Sequence, residues 1–187
     1  MTKRIILAVS GSISAYKSAD LTSKLKKKGY DIHVIMTEAA QAFITPLTLQ
    51  VLSKNPVHTD VMEEKLAERI NHIDLAEETD LFIVAPASAN TIAKLAHGMA
   101  DNMLTATALA LPSTTPKLIA PAMNTKMYEN PLTKKNLETL QEVGYQKILP
   151  KSGLLACGDT GRGALADIAV IIDSIDSALT RKGVYDE

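Results

Sequence analysis

The eight residues from Pro121 to Tyr128, PAMNTKMY, have the types and spacing best suited to chemistry in this chain. They follow directly on the apolar run 118–120. A chain leaving a strand end through a proline-framed turn is where an α/β protein presents side chains to a ligand. Here the turn offers the amide of Asn124 between the thioethers of Met123 and Met127, and with Ala122 these residues have the make-up of a substrate clamp. An amide is both donor and acceptor, so Asn124 could hydrogen-bond a ligand in either sense; in a purely structural role it would close the turn. His72 and Cys157 could move protons. An imidazole titrates near working pH, with a reference value of about 6.5, but a lone histidine taken by itself is more often structural. Cys157 is the only cysteine. It can form neither an intrachain disulfide nor a metal cage, and is either an inert packed thiol or a functional one. His33, His58 and His97 lie in a strand pattern, an irregular stretch and a helix end, and are assigned no chemistry.

Three further clusters sit where strands should end. The first is the run 10–17, where Gly11 lets backbone approach an anion, Ser12 and Ser14 bring hydroxyls, and a helix start adds exposed N–H groups. This could cradle a phosphate. It lacks both the GxGxxG spacing and the GxxxxGK[ST] loop, which favours a mononucleotide, although Ser-Gly-Ser is also a plain helix-start turn. At the second end Thr37 either caps the next helix or meets the phosphate. The third offers Ser88, Asn90 and Thr91, suited to the edge of a heteroaromatic ring or a ribityl chain. A cap explains Ser88 alone.

The elements that must position these residues can be read from periodicity. Residues 5–9 are a continuous apolar run, as expected for a strand buried on both faces, and 32–36, 81–85 and 117–120 read as further strands. Helical stretches fall at 14–28, 89–97, 101–111, 131–143 and 167–180, with a short strand at 147–149. Strand, crossover helix and strand within the first 36 residues make a βαβ unit and imply a parallel sheet. The expected fold is one doubly wound, Rossmann-like α/β domain over residues 1–187, with helices on both faces. Segments 44–72 and 151–164 are the least regular, and the second, rich in glycine and serine, reads as a mobile lid.

Composition narrows the partners. At 187 residues with 46% hydrophobic side chains, the chain can bury a sizeable core. A net charge of -1 without a basic block argues against nucleic acid, and the lysines at 24–28 read as the solvated end of a helix. The apolar start is too short for a signal peptide or a membrane span, so the expected location is cytoplasmic.

The motifs GSISAYK (11–17), MTEAA (36–40), NHIDLA (71–76), PASANTIAKLAHGMADNMLT (86–105), PAMNTKMY (121–128) and SGLLACGDTG (152–161) occur in one order over most of the chain. In that order they resemble the homo-oligomeric flavin-containing cysteine decarboxylases, whose signature is PxMNxxMW, and within them the phosphopantothenoylcysteine decarboxylases of coenzyme A biosynthesis. The resemblance implies FMN, with its phosphate near Gly11, Ser12, Ile13 and Thr37 and its ring and ribityl chain near Ser88, Asn90 and Thr91. It implies that His72 is the catalytic histidine, that Asn124 grips the carboxylate region of 4'-phosphopantothenoylcysteine, and that Cys157 sits on a flap over the substrate. It further implies a flavin site built between subunits of a trimer, which can stack into a dodecamer.

This chain departs from the family pattern at three points. Tyr128 replaces the usual Trp and should keep an aromatic wall. In Gly161-Arg162-Gly163-Ala164 the arginine falls two positions before its place in the common G-x-G-R order, which puts Arg162 in doubt as a substrate contact. The ligase domain fused to many relatives is not in this sequence, so a separate phosphopantothenoylcysteine synthetase is expected. Three rival readings differ from this one at these features. A peptidyl-cysteine decarboxylase should lack the ACG flap, a flavin prenyltransferase would not need the histidine with PAMN, and a flavin-binding regulatory subunit would tolerate losing His72, Asn124 or Cys157.

Overall fold

The computed structural model describes residues 2–63, 71–154 and 160–182. β1 (Arg4–Val9) is followed by a 3-10 turn (Ile13–Lys17) and α1 (Ser18–Lys27), then β2 (Asp31–Met36), α2 (Glu38–Gln41), α3 (Pro46–Ser53) and β3 (Val57–His58). Next come α4 (Asn71–Glu77), β4 (Leu81–Ala87), α5 (Ala89–Ala96), α6 (Met103–Ala110), β5 (Lys117–Pro121), α7 (Thr125–Glu129), α8 (Pro131–Glu142) and β6 (Tyr145–Lys147). A hairpin of β7 (Lys151–Leu154) and β8 (Thr160–Ala164) precedes α9 (Ile168–Lys182).

Alternation along β1 explains the layering. Ile5, Leu7 and Val9 face one side of the sheet, with α1, α3 and α9; Ile6 and Ala8 face the other, with α4, α5, α6 and α8. A strand with apolar residues on both faces must be covered on both, and helical crossovers supply that cover. The six strands pair in parallel in the order β3-β2-β1-β4-β5-β6. The chain walks outward from β1 through β2 to β3, then returns to place β4 on the other flank of β1. The reversal between β1 and β4 opens a crevice at their carboxyl ends.

The doubly wound α/β fold agrees with the sequence reading, while three local expectations change. Segment 44–72 is not simply irregular, since it holds α3, β3 and the start of α4. α3 buries Leu49 and Ser53 but leaves Leu47 and Val51 exposed, so its apolar residues mark no single face. Segment 151–164 contains the antiparallel β7–β8 pair. The last sheet strand lies at Tyr145–Lys147 rather than 147–149: Gly144, at φ +93°, turns the chain straight into it, and Ile148 is buried just beyond its end.

Two contacts fix the outer parts. The hairpin docks on the loop after β5, where Met123 N–H donates to the Gly163 carbonyl at 2.9 Å. A Cβ on Gly163, whose φ is +153°, would stand 2.3 Å from the Met123 carbonyl oxygen. At the far end, the Tyr30 hydroxyl donates to Asp176 Oδ1 at 2.6 Å, and Lys28 Nζ lies 2.9 Å from Asp176 Oδ2, tying α9 to the turn after α1. Burial, then the bond to Asp176 and its charge, pushes the Tyr30 phenol up to about 12. Burial pushes the Asp176 carboxyl up as well, but the Tyr30 hydrogen bond and Lys28 outweigh it and hold it below the ordinary carboxylate range.

Gly163→Ala should cost on the order of 1–3 kcal/mol in backbone strain and strip the Met123 amide of protection from hydrogen exchange. Wild-type protection would mean the hairpin is held elsewhere. Tyr30→Phe should lower stability by about 1 kcal/mol at neutral pH. A carboxyl depressed in the folded state stabilises above its unfolded value and loses that contribution as pH falls through its folded one. The gap between wild type and Tyr30→Phe in chemical denaturation should therefore close as pH falls below the 3.8 of an unperturbed aspartate; a gap constant with pH would separate the tyrosine from the charge on Asp176.

Candidate functional site at the carboxyl edge of the sheet

Three strand ends are tied together at the crevice. Ser10 is fully buried; its N–H and its hydroxyl both donate to the Pro86 carbonyl, at 3.2 and 2.7 Å, while its Oγ accepts from Ser88 N–H at 2.8 Å. Ala122 N–H donates to the Ala87 carbonyl at 3.0 Å, adding the end of β5. Four polar side chains along this edge cap the turns that follow it. Ser12 Oγ accepts from Ser14 N–H, Thr37 Oγ1 from Ala40 N–H and Ser88 Oγ from Thr91 N–H, each at 3.3 Å; Asn124 Oδ1 accepts from Lys126 N–H at 2.8 Å. Capping therefore accounts for one bond of each, and it is also what aims these groups along the crevice.

Two adjoining hollows occupy the crevice. One, of about 440 Å³, sets Gly11, Ser12 and Ile13 against Ala122, Met123, Asn124 and Met127, with Lys17 as the charged residue among those described along its wall. The other, of about 450 Å³, is lined by Thr37, Asn90 and Thr91, with Lys94 held by Asp101 at its rim. Gly11, Ser88, Ala89 and Met127 belong to both walls, so the two form one continuous trough. Its scale is that of ligand sites, which run from about 300 to 1,000 Å³. A larger hollow of about 720 Å³ lies at the amino ends of the strands, where Arg4 is bonded to Asp31 and Glu78. Ligands in open parallel sheets bind at the opposite edge, and Arg4, Asp31 and Glu78 here are paired with one another.

The donors in the trough fit a mononucleotide with a flat ring. Backbone can come close at Gly11, where a Cβ would lie 2.6 Å from the Ala39 Cβ, so no larger residue fits between β1 and α2. Phe43 and Met127 give apolar walls, while Ser88, Asn90 and Thr91 supply hydroxyl and amide partners.

Most of the predicted residues converge. Gly11, Ser12, Ile13, Ser88, Ala122, Met123, Asn124 and Met127 share the first hollow, and Thr37, Asn90 and Thr91 join through the second. His72 does not join them. It is the second residue of α4, outside both described walls, with its Nδ1 buried and without a hydrogen-bond partner among the described residues. Cys157 lies outside the described residues, between β7 and β8. The expectation that Tyr128 keeps an aromatic wall is corrected: α7 turns it into the core, only 7% exposed, while Met127 faces the trough. Burial pushes the Tyr128 phenol up, with the nearby charge of Arg162 pulling the other way.

Arg162 is settled by a bulge. Lys151 pairs with Ala164 and Ser152 with Arg162, leaving Gly163 as the extra residue of β8. Successive residues of β7 point to opposite faces, so Ala164, on the trough wall, and Arg162 face opposite ways. Sequence reasoning missed Ser10, Phe43 and the Gly163–Ala164 wall. A glycine inside a strand was the available signal for the bulge; nothing in a lone buried serine announces a three-strand staple.

A family model described as Flavoprotein matches residues 1–180. A probable phosphopantothenoylcysteine decarboxylase from Streptococcus mutans is 62% identical over 179 residues, covering 96% of this chain and all of that protein. A coenzyme A biosynthesis bifunctional protein of Bacillus subtilis is 50% identical over 165 residues; the match covers 88% of this chain but 40% of that protein. Among solved structures, a cysteine-to-serine mutant of PPC decarboxylase complexed with pantothenoylaminoethenethiol superposes with a TM-score of 0.87 at 34% identity, covering 95% of this chain and 98% of the other. The FMN binding protein AtHal3 gives 0.84 at 35% identity, with 95% and 96% covered. A relative matched over its full length and a matching family model agree: the chain belongs to the flavoprotein family.

Proposed function

We propose that this protein is an FMN-dependent decarboxylase that converts 4'-phosphopantothenoylcysteine to 4'-phosphopantetheine in coenzyme A biosynthesis. The observation that carries the reading is the shared trough: the Asn124 loop forms one wall of the hollow whose other wall is the Gly11–Ser12 cradle, continuous with Thr37, Asn90 and Thr91. Likeness to the decarboxylases named above supports it. Among the described residues no helix is long and apolar enough to cross a membrane, in keeping with a cytoplasmic enzyme.

Loss of CO2 from a plain cysteine carboxylate would leave an unstabilised carbanion, and no ordinary side chain is an electron sink. The Gly11–Ser12 turn with Thr37, Ser88, Asn90 and Thr91 would hold FMN, which would supply that sink as an acceptor of two electrons from the substrate's thiol-bearing carbon and their donor again before product forms. The chain's residues do the rest. His72 takes the thiol proton. Asn124 holds the carboxylate through neutral hydrogen bonds, and once the neighbouring carbon is a thioaldehyde, CO2 leaves with its electron pair delocalised onto sulfur. Cys157 gives a proton to the resulting enethiolate, and the product is a saturated thiol with no net oxidation.

That His72 lies outside both described walls of the trough favours a site completed by a neighbouring subunit, as in the trimer implied by resemblance, either alone or stacked as a dodecamer. His72, whose buried Nδ1 has no hydrogen-bond partner among the described residues, would then face the neighbour's trough. The synthetase that makes the substrate would be a separate protein, where the bifunctional relatives join two activities.

The yellow holoprotein given 4'-phosphopantothenoylcysteine should yield a product lighter by CO2 alone. Loss of CO2 plus two hydrogens would instead mean release of an enethiol, and unchanged substrate with FMN bound would point to a binding protein. His72→Asn should retain FMN and lose about 10²–10⁴-fold in turnover. Mixed oligomers of His72→Asn and Asn124→Ala should regain activity that neither variant has alone; inactive mixtures would place both residues in one subunit's site. Cys157→Ser should accumulate the oxidised, decarboxylated intermediate, and full turnover would remove the thiol from the mechanism.

A further inference from the structure

The two hollows of the trough differ in the residues along their walls. Ile13, Phe43, Met123 and Ala164 give the first its apolar sides. The second sets Thr37, Asn90 and Asn102 around Gly11, and its charges are Glu38, Lys94 and Asp101. Lys94 is the cation among the described residues of that wall, and it is held in place. Its ammonium is bonded to Asp101 Oδ2, while Asn102 Nδ2 donates to the other oxygen of the same carboxylate at 3.2 Å. Asn102 is fixed in turn by a reciprocal cap: its Oδ1 accepts from Thr105 N–H at 3.1 Å, and its own N–H donates to Thr105 Oγ1 at 3.3 Å. The side chain of Lys94 is 22% exposed and that of Asp101 47%, so the cation is the more enclosed partner.

A partly exposed ion pair contributes little to stability, and as a purely structural device this one would only join the end of α5 to the start of α6. Its position suits a second task. Asn90 and Lys94 are one turn apart on α5 and lie along the same wall. An ammonium has three N–H donors, of which Asp101 takes one.

FMN combines a flat ring with a phosphate monoester that carries about −1.5 to −2 charges at pH 7. The ring suits the apolar first hollow. The phosphate suits the second, where Gly11, the Thr37 hydroxyl and the Asn90 amide line the wall. Neutral donors alone would leave its charge uncompensated beside Glu38 and Asp101. We propose that Lys94, oriented by Asp101, is the counter-charge of the FMN phosphate and selects FMN over riboflavin, the same flavin without a phosphate. The proposal rests on FMN as the cofactor of the reading above and not on the decarboxylation step. Lys17, the cation of the first hollow, is placed differently. It lies over the Tyr16 ring, 5.9 Å from its centre, along a third hollow with Asp20 and Asp167, and its charge acts on Asp167.

The test measures flavin affinity by fluorescence quenching on the full chain freed of its cofactor. Lys94→Met should bind FMN about 10- to 100-fold more weakly, the loss expected for one hydrogen bond to a charged group. It should bind riboflavin as wild type does, which also shows that the variant is folded. Lys94→Arg keeps the charge and should recover most of the preference for FMN. Added salt should weaken FMN binding more steeply in wild type than in Lys94→Met. Unchanged FMN affinity in Lys94→Met would overturn the proposal. So would equal losses for the two flavins, which would make the lysine a support of the wall or a partner of the ring. A loss of FMN preference confined to Lys17→Met would move the phosphate to the first hollow and overturn it as well. These outcomes leave FMN as the cofactor, whereas a wild-type chain that took up neither flavin would overturn that assignment too.

Discussion

Ser10 joins the two strands between which the sheet reverses its order. Two bonds to the Pro86 carbonyl and one from the Ser88 amide leave this fully buried side chain no freedom, and they hold the ends of β1 and β4 at a set separation. Everything at the carboxyl edge is measured from that staple. The Gly11–Ser12 turn leaves one side of it, the Ser88–Thr91 turn the other, and β5 is registered on β4 through Ala122 and Ala87. A parallel sheet buried on both faces supplies the rigidity that loops alone would lack. It also explains why a small chain can hold the Gly11–Ser12 turn and the Asn124 loop on facing walls.

The second constraint is the absence of side chains at Gly161 and Gly163. Larger residues there would collide with Thr125 and with the Met123 carbonyl, so the hairpin lies directly on the loop that carries Asn124. The bulge at Gly163 then decides which residue joins the wall. Ala164 faces the trough and the charged Arg162 does not, leaving that part of the wall apolar.

The parallel sheet was legible because strands buried on both faces are continuous apolar runs, unlike the broken pattern of α3, where Leu47 and Val51 stay exposed beside buried Leu49. The residues of the trough were legible because each stands just past a strand end, where a doubly wound sheet displays its loops. What stayed hidden depends on register and on depth. A one-residue bulge turns a strand's remaining side chains over, and nothing local to Arg162 records which face it ends on. Resemblance puts an aromatic wall at Tyr128 because it stands in the place of the family's Trp, but the short helix α7 sets it about a third of a turn from Met127 and into the core. The hydroxyl of Ser10 reaches a carbonyl 76 residues away, a pairing that no local spacing encodes.

Ser12, Thr37, Ser88 and Asn124 each cap the helical element that follows a strand at the mouth of the trough. These positions consequently have a short alphabet. Serine, threonine, asparagine and aspartate preserve the turn, whereas alanine or valine frays it whether or not a ligand is near. Drift at this edge is thus confined to exchanges among small polar residues, each bringing a different hydrogen-bonding face to the trough. A lineage altering its cofactor or substrate would do so most readily by those exchanges, since they change recognition while leaving the scaffold's own joints intact.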